Sequence, residues 1–103
     1  MQSARLDILL PSGIARTVDL AGVTIIGRDS QNDIVLDEEM ISRCHAMLLA
    51  KPAGSILIDL ESTNGTLVNG TFVPPDTPVS LHDGDMIALG RVIARYDEGE
   101  TNG

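Results

Sequence analysis

Apolar residues in this chain come in short runs of Ile, Val and Leu, each broken by Gly, Pro, Asn or Asp at intervals of about 8 to 12 residues. No helix of useful length fits that pattern, so the chain must bury its apolar surface between strands, as an all-β antiparallel sandwich. The predicted strands are Leu6–Leu10, Ala15–Leu20, Val23–Gly27, Ile34–Leu36, Ala46–Ala50, Ser55–Asp59, Thr66–Val68, Thr71–Val73, Val79–Leu81, Met86–Leu89 and Val92–Tyr96. Asn69-Gly70 sits between two of them as a two-residue loop whose positive φ requirement both residues meet at little cost. Asp83-Gly84, Gly90-Arg91 and Ala21-Gly22 mark three further tight reversals, and Pro74, Pro75 and Pro78 stiffen a connection that needs no ladder donor.

Size and charge narrow the class. The chain has 103 residues, about one domain, and its 43% hydrophobic and 21% charged content is ordinary for a folded core. Residues 1–97 read as that domain and residues 98–103 as an acidic tail or the start of a linker. The only aromatics are Phe72 and Tyr96, so the core is expected to be aliphatic: Leu10, Val18, Leu20, Ile25, Ile34, Leu36, Leu48, Ile56, Ile58, Leu67, Val79, Ile87, Leu89 and Ile93. The same scarcity removes the stacking platforms of single-stranded nucleic-acid binders, and a net charge of −8 repels a phosphate backbone. One cysteine, Cys44, excludes an internal disulfide and a cysteine zinc cage. Without a signal-peptide core near Met1 or a run of roughly 18 apolar residues, a soluble cytoplasmic chain with no membrane or nucleic-acid partner is expected.

Three segments between strands are longer and chemically unlike plain turns: Gly27 to Asp33, Asp37 to His45, and Glu61 to Thr66. On a rigid β-scaffold such loops usually carry function. They hold two of the seven cationic residues and a dense set of hydroxyls and amides, an inventory that suits a phosphoryl group. Arg28, Ser42, Arg43, Thr63 and Asn64 could supply the donors. His45 invites a catalytic or metal reading, but adjacent Cys44 and His45 on a strand would face opposite ways, and nothing nearby has metal-ligand spacing. With no credible pair of nucleophile and base, no enzyme, no metal and no cofactor is expected.

The order Gly27-Arg28, then Asn32-Asp33-Ile34-Val35-Leu36, Ile41-Ser42-Arg43-Cys44-His45-Ala46, Asp59 through Gly70, and Gly84-Asp85-Met86-Ile87-Ala88-Leu89-Gly90 closely resembles the forkhead-associated (FHA) domain over nearly the whole chain. The resemblance implies an eleven-stranded β-sandwich whose loops at one end bind phosphothreonine peptides, usually as a module in serine/threonine kinase signalling. It implies that Arg28 and Ser42 bind phosphate, that Arg43 reaches it by side chain or backbone, that Thr63 lies near it, and that Asn64 bonds the peptide backbone. His45 is implied to be architectural, holding neighbouring loops together.

Each residue also has a plainer reading. Arg28 could cap a turn, Arg43 could balance Asp37, Glu38 and Glu39, and Asn64-Gly65 could be a turn that also presents its side chain. Gly27 reads as a position of unusual backbone angle or close packing rather than a ligand contact. The three acids are either a solvated turn or a filter favouring basic peptide flanks. A rival function is a phosphate-independent self-association or scaffold module that uses a sandwich face.

Overall fold

The computed structural model describes residues 4–99, and every regular element among them is a strand. The strands are β1 (Arg5–Leu9), β2 (Ala15–Asp19), β3 (Gly22–Gly27), β4 (Ile34–Val35), β5 (Ala46–Lys51), β6 (Gly54–Asp59), β7 (Thr66–Val68), β8 (Thr71–Phe72), β9 (Val79–Leu81), β10 (Met86–Leu89) and β11 (Val92–Asp97). Each predicted strand is present. They form a six-stranded sheet in the order β2-β1-β11-β10-β7-β8 and a five-stranded sheet in the order β4-β3-β5-β6-β9. Two contacts depart from antiparallel order: β4 runs parallel to β3, pairing Ile34 with Ile26, and an isolated parallel bridge joins Asp59 to Pro75. The β7–β8 hairpin turns on Asn69 and Gly70 at φ of 51° and 82°, as a two-residue loop of this hand requires.

The core lies between the sheets and is built from Leu6, Ile8, Leu20, Ile26, Ile34, Leu36, Ile41, Leu48, Leu57, Leu81, Ile87, Leu89, Val92, Ala94 and Tyr96. Six of the expected core residues are there: Leu20, Ile34, Leu36, Leu48, Ile87 and Leu89. The expectation fails by one residue on β3, β6 and β11, where Ile26, Leu57 and Val92 point inward, Ile25, Ile56 and Ile58 are half-buried, and Ile93 is exposed. Leu67 and Val79 are half-buried too, while Leu10 and Val18 pack against the core from its edge. The physical reason is that these strands carry aliphatic residues on both faces, so alternation alone does not say which face is covered.

The core is not purely aliphatic either. Tyr96 is fully buried, and its hydroxyl donates to Ser55 Oγ at 2.6 Å across the two sheets. Burial holds the Tyr96 phenol above its usual pKa, partly offset by that bond to Ser55. Tyr96→Phe should therefore cost about 1–2 kcal/mol in urea unfolding, because it leaves a buried hydroxyl without its partner. Adding Ser55→Ala to it should recover part of that loss; a double variant no more stable than the single one would contradict this account.

No helix among the described residues is long and apolar enough to cross a membrane. The readings made of residues 1–3 and 100–103 lie outside the described residues. Of the expected tail, the Glu98 N–H donates to Asp83 Oδ1 at 2.9 Å and the Gly99 N–H to Asp97 Oδ1 at 2.8 Å.

Candidate functional site

β3 ends on Gly27, which is buried against the loop before β5. A Cβ at Gly27 would overlap the Arg43 carbonyl and stand 2.6 Å from Asn32 Nδ2. Close packing is therefore the reason for glycine here. The approach lets the Arg28 N–H donate to the Ser42 carbonyl at 3.0 Å and the Asp29 N–H to the Arg43 carbonyl at 3.2 Å. Arg28 is thus laid alongside the Ser42-Arg43 pair by backbone pairing. Asn32 reinforces this from the far side of its loop, its amide donating to the Arg43 carbonyl while Cys44 Sγ donates to its Oδ1 at 3.6 Å. Arg28 and Arg43 are both exposed, and among the described residues neither guanidinium is in an ion pair.

The β4–β5 loop is anchored at both ends of its short functional stretch, by Ile41 in the core and by His45, which is fully buried. The His45 backbone donates to the Ile26 carbonyl at 2.8 Å and accepts from the Leu60 N–H at 2.9 Å. Its Nδ1 accepts the Ser42 N–H at 3.1 Å, so the other ring nitrogen, 2.9 Å from the Gly65 carbonyl, is the donor. One imidazole therefore joins the loop carrying Ser42 to the loop carrying Thr63 and Asn64. Cys44 beside it points out and is exposed, which separates the two side chains.

The β6–β7 loop is organised by Asp59, which is only 1% exposed. Its carboxylate accepts from the Ser62 N–H at 3.1 Å, the Ser62 hydroxyl at 2.5 Å and the Thr66 hydroxyl at 2.7 Å. At the end of the loop Gly65 has a φ of 82°, a conformation that favours glycine, and the Phe72 ring packs 2.8 Å from where a Cβ would stand. With the loop closed in this way, the Thr63 N–H donates to Ser42 Oγ at 2.9 Å and the Asn64 amide donates to the Met40 carbonyl at 2.9 Å. Ser42 Oγ is thereby an acceptor toward Thr63 and keeps its own hydrogen to donate.

All five residues singled out from the sequence lie on three loops at one end of the sandwich, and those loops are stitched to one another by the bonds above. Asn64 is less free than expected, since one of its amide donors is held by Met40. Asp37 and Glu39 are exposed on the same loop as Ser42, in a turn closed by the Ile41 N–H donating to the Glu38 carbonyl at 3.1 Å. Sequence reasoning did not assign Asp59 and Asn32 to the site. The signal for Asp59 was available: an acid at the end of a buried strand, followed at three and seven residues by hydroxyls that can satisfy it.

A family model, FHA domain, matches residues 24–90. Among curated proteins, the chain is 37% identical over 99 residues to the ABC transporter ATP-binding/permease protein Rv1747 of Mycobacterium tuberculosis, a match covering 96% of this chain and 10% of that protein. The chain spans between 2% and 18% of the length of the curated relatives it matches. A domain solved in a study of phosphothreonine-dependent FHA domain interactions superposes with a TM-score of 0.82 at 33% identity, covering 94% of this chain and 99% of that one. Mycobacterium tuberculosis EmbR, solved with a low-affinity phosphopeptide, gives a TM-score of 0.82 at 32% identity, covering 99% of this chain and 26% of that one. The family match and the superposed structures agree, and this chain belongs to the FHA domain family.

Proposed function

We propose that this domain is a non-catalytic reader that binds a phosphothreonine in an extended segment of a partner protein, in serine/threonine kinase signalling. Arg28 takes phosphate oxygens with its guanidinium fork, Ser42 donates its hydroxyl, Arg43 and Thr63 complete the cradle, and Asn64 holds the peptide backbone beside the phosphothreonine. Gly27, His45 and Gly65 hold these residues in place. The observation that carries the reading is that the exposed Arg28 and Arg43 and Ser42, whose Oγ accepts the Thr63 N–H and so keeps its own hydrogen to donate, lie on loops joined to one another at one end of the sandwich. The similar domains described with phosphothreonine-dependent interactions and with a phosphopeptide support it. The overall acidity is compatible with this ligand, because two arginines act locally on one phosphate while a net charge of −8 discourages polyanions.

Calorimetric titration of one peptide in phosphothreonine, phosphoserine and unmodified forms tests the proposal. The phosphothreonine form should bind roughly 10- to 200-fold more tightly than the phosphoserine form, the range a single methyl contact supplies. The unmodified peptide should show no measurable heat; if it bound as well as the phosphothreonine form, the reading would be wrong.

A further inference from the structure

The outer face of the six-stranded sheet carries a row of apolar side chains that crosses all six strands. Successive register partners set Ala15 on β2 beside Leu9 on β1, Leu9 beside Ile93 on β11, Ile93 beside Ala88 on β10, Ala88 beside Leu67 on β7, and Leu67 beside Phe72 on β8. The residues next to them along the strands, such as Ile8, Val92, Ile87 and Thr66, are buried, so the row faces away from the core. Phe72 is 64% exposed, Leu9 50% and Ile93 46%, and no charge interrupts the row. Two residues along the strands the face becomes mixed, with Thr17, Asp7 and Arg95 in register with the exposed Met86.

We infer that this row is a homotypic interface, through which two copies of the chain associate face to face about a two-fold axis parallel to the strands. The argument is the order of sizes along the row. Such an axis reverses it, so Phe72 of one copy meets Ala15 of the other, Leu67 meets Leu9, and Ala88 meets Ile93. Bulk is matched to space where Phe72 meets Ala15 and where Ile93 meets Ala88, while Leu67 and Leu9 meet as two large side chains between those crossings. An axis along the row would instead stack Phe72 on Phe72 and leave Ala15 over Ala15 with a gap. The strand-parallel axis also sets Arg95 over Met86 and Asp7 over Asn69, so no like charges are opposed.

On the other sheet, the rows Val23-Leu49-Ile56 and Ile25-Met47-Ile58 also face outward, but they are uniformly large and show no such alternation. Six strands at sheet spacing and two rows along them span about 24 by 14 Å, or about 340 Å² per copy. That is well below the standard of roughly 800 Å² per partner, so the dimer is weak and concentration-dependent. The interface does not rest on the phosphothreonine reading, and Arg28→Ala should leave it intact.

Sedimentation equilibrium of the 103-residue chain from about 10 µM to about 2 mM tests it. The mass average should rise from monomer toward dimer. Ile93→Lys should raise the dissociation constant about tenfold or more, whereas Val23→Lys on the other sheet should leave it unchanged. A second measurement does not depend on how Ile93→Lys folds. In a Cys44→Ser background, oxidation of Leu9→Cys chains mixed in equal amounts with Leu67→Cys chains should give the mixed disulfide well above the half share that random pairing supplies. A chain that stays monomeric throughout, an association abolished by Val23→Lys and not by Ile93→Lys, or a mixed disulfide no more abundant than random pairing gives would each overturn the proposal.

Discussion

Replacing Arg28 by alanine is expected to weaken binding of a phosphothreonine peptide by about 100-fold or more while leaving the unfolding free energy within about 0.5 kcal/mol of the parent. The side chain is exposed and in no ion pair among the described residues, so its removal uncovers no core and orphans no buried partner. On the proposed reading it removes a planar pair of donors to phosphate oxygens, each charge-assisted bond being worth about 1.5–3 kcal/mol. Two of them account for at least the 2.7 kcal/mol or so that 100-fold requires. Arg28→Lys keeps the charge and loses the fork, so it should fall between parent and alanine. Lys51→Ala, at the end of β5 away from the site loops, removes the same charge and should change affinity by no more than about twofold, which separates contact from long-range steering. Calorimetry on the four chains reads all of this. An Arg28→Ala chain that still bound within about threefold of the parent would remove Arg28 from the site.

The fold was largely legible before the structure. Asn69-Gly70, Gly84, Gly90 and Gly22 all take positive φ where turns were expected, so strand boundaries could be read from turn chemistry. Which side of each strand is inside was less legible. Ser55-Ile56-Leu57-Ile58-Asp59 presents two isoleucines on one face and a serine, a leucine and an aspartate on the other, yet the second face is buried. The decision lies in contacts far along the chain: Ser55 is needed by Tyr96, and Asp59 by Ser62 and Thr66. The outward Ile93 and Leu67 misled in the same manner, and they belong to the apolar row across the six-stranded sheet.

The site shows the same division. Polar donors on long loops made Arg28, Ser42, Arg43, Thr63 and Asn64 candidates, and the structure brings their loops together at one end. The groups that hold them are set by tertiary distance instead. Gly27 is required by the Arg43 carbonyl, and the His45 ring reaches Gly65, 20 residues away. A spacing rule carries neither fact, and only a resemblance to known domains suggested the role of His45.

Asp59→Ala should lower unfolding stability by about 3–5 kcal/mol, the largest loss expected of any single change at this end of the molecule. The carboxylate is buried and accepts from the Ser62 N–H and hydroxyl and from the Thr66 hydroxyl, and Thr66 is itself fully buried. Alanine leaves those donors without acceptors in a place water reaches poorly, and each such orphan costs about 1–3 kcal/mol. The damage should also reach the ligand. The Asp59 bonds close the loop that places the Thr63 N–H on Ser42 Oγ, so a chain that remains folded should bind the phosphothreonine peptide at least about tenfold more weakly. Asp59→Asn separates the two effects. It keeps the shape and one acceptor but presents an N–H₂ group toward donors, so it should lose about 1–3 kcal/mol and retain more binding than alanine does. Urea midpoints measured beside calorimetric titrations of the same preparations decide the matter. An Asp59→Ala chain as stable as the parent would show that the β6–β7 loop is held by something other than this carboxylate. One destabilised by several kcal/mol that still bound normally would show that the Ser42–Thr63 contact does not need it.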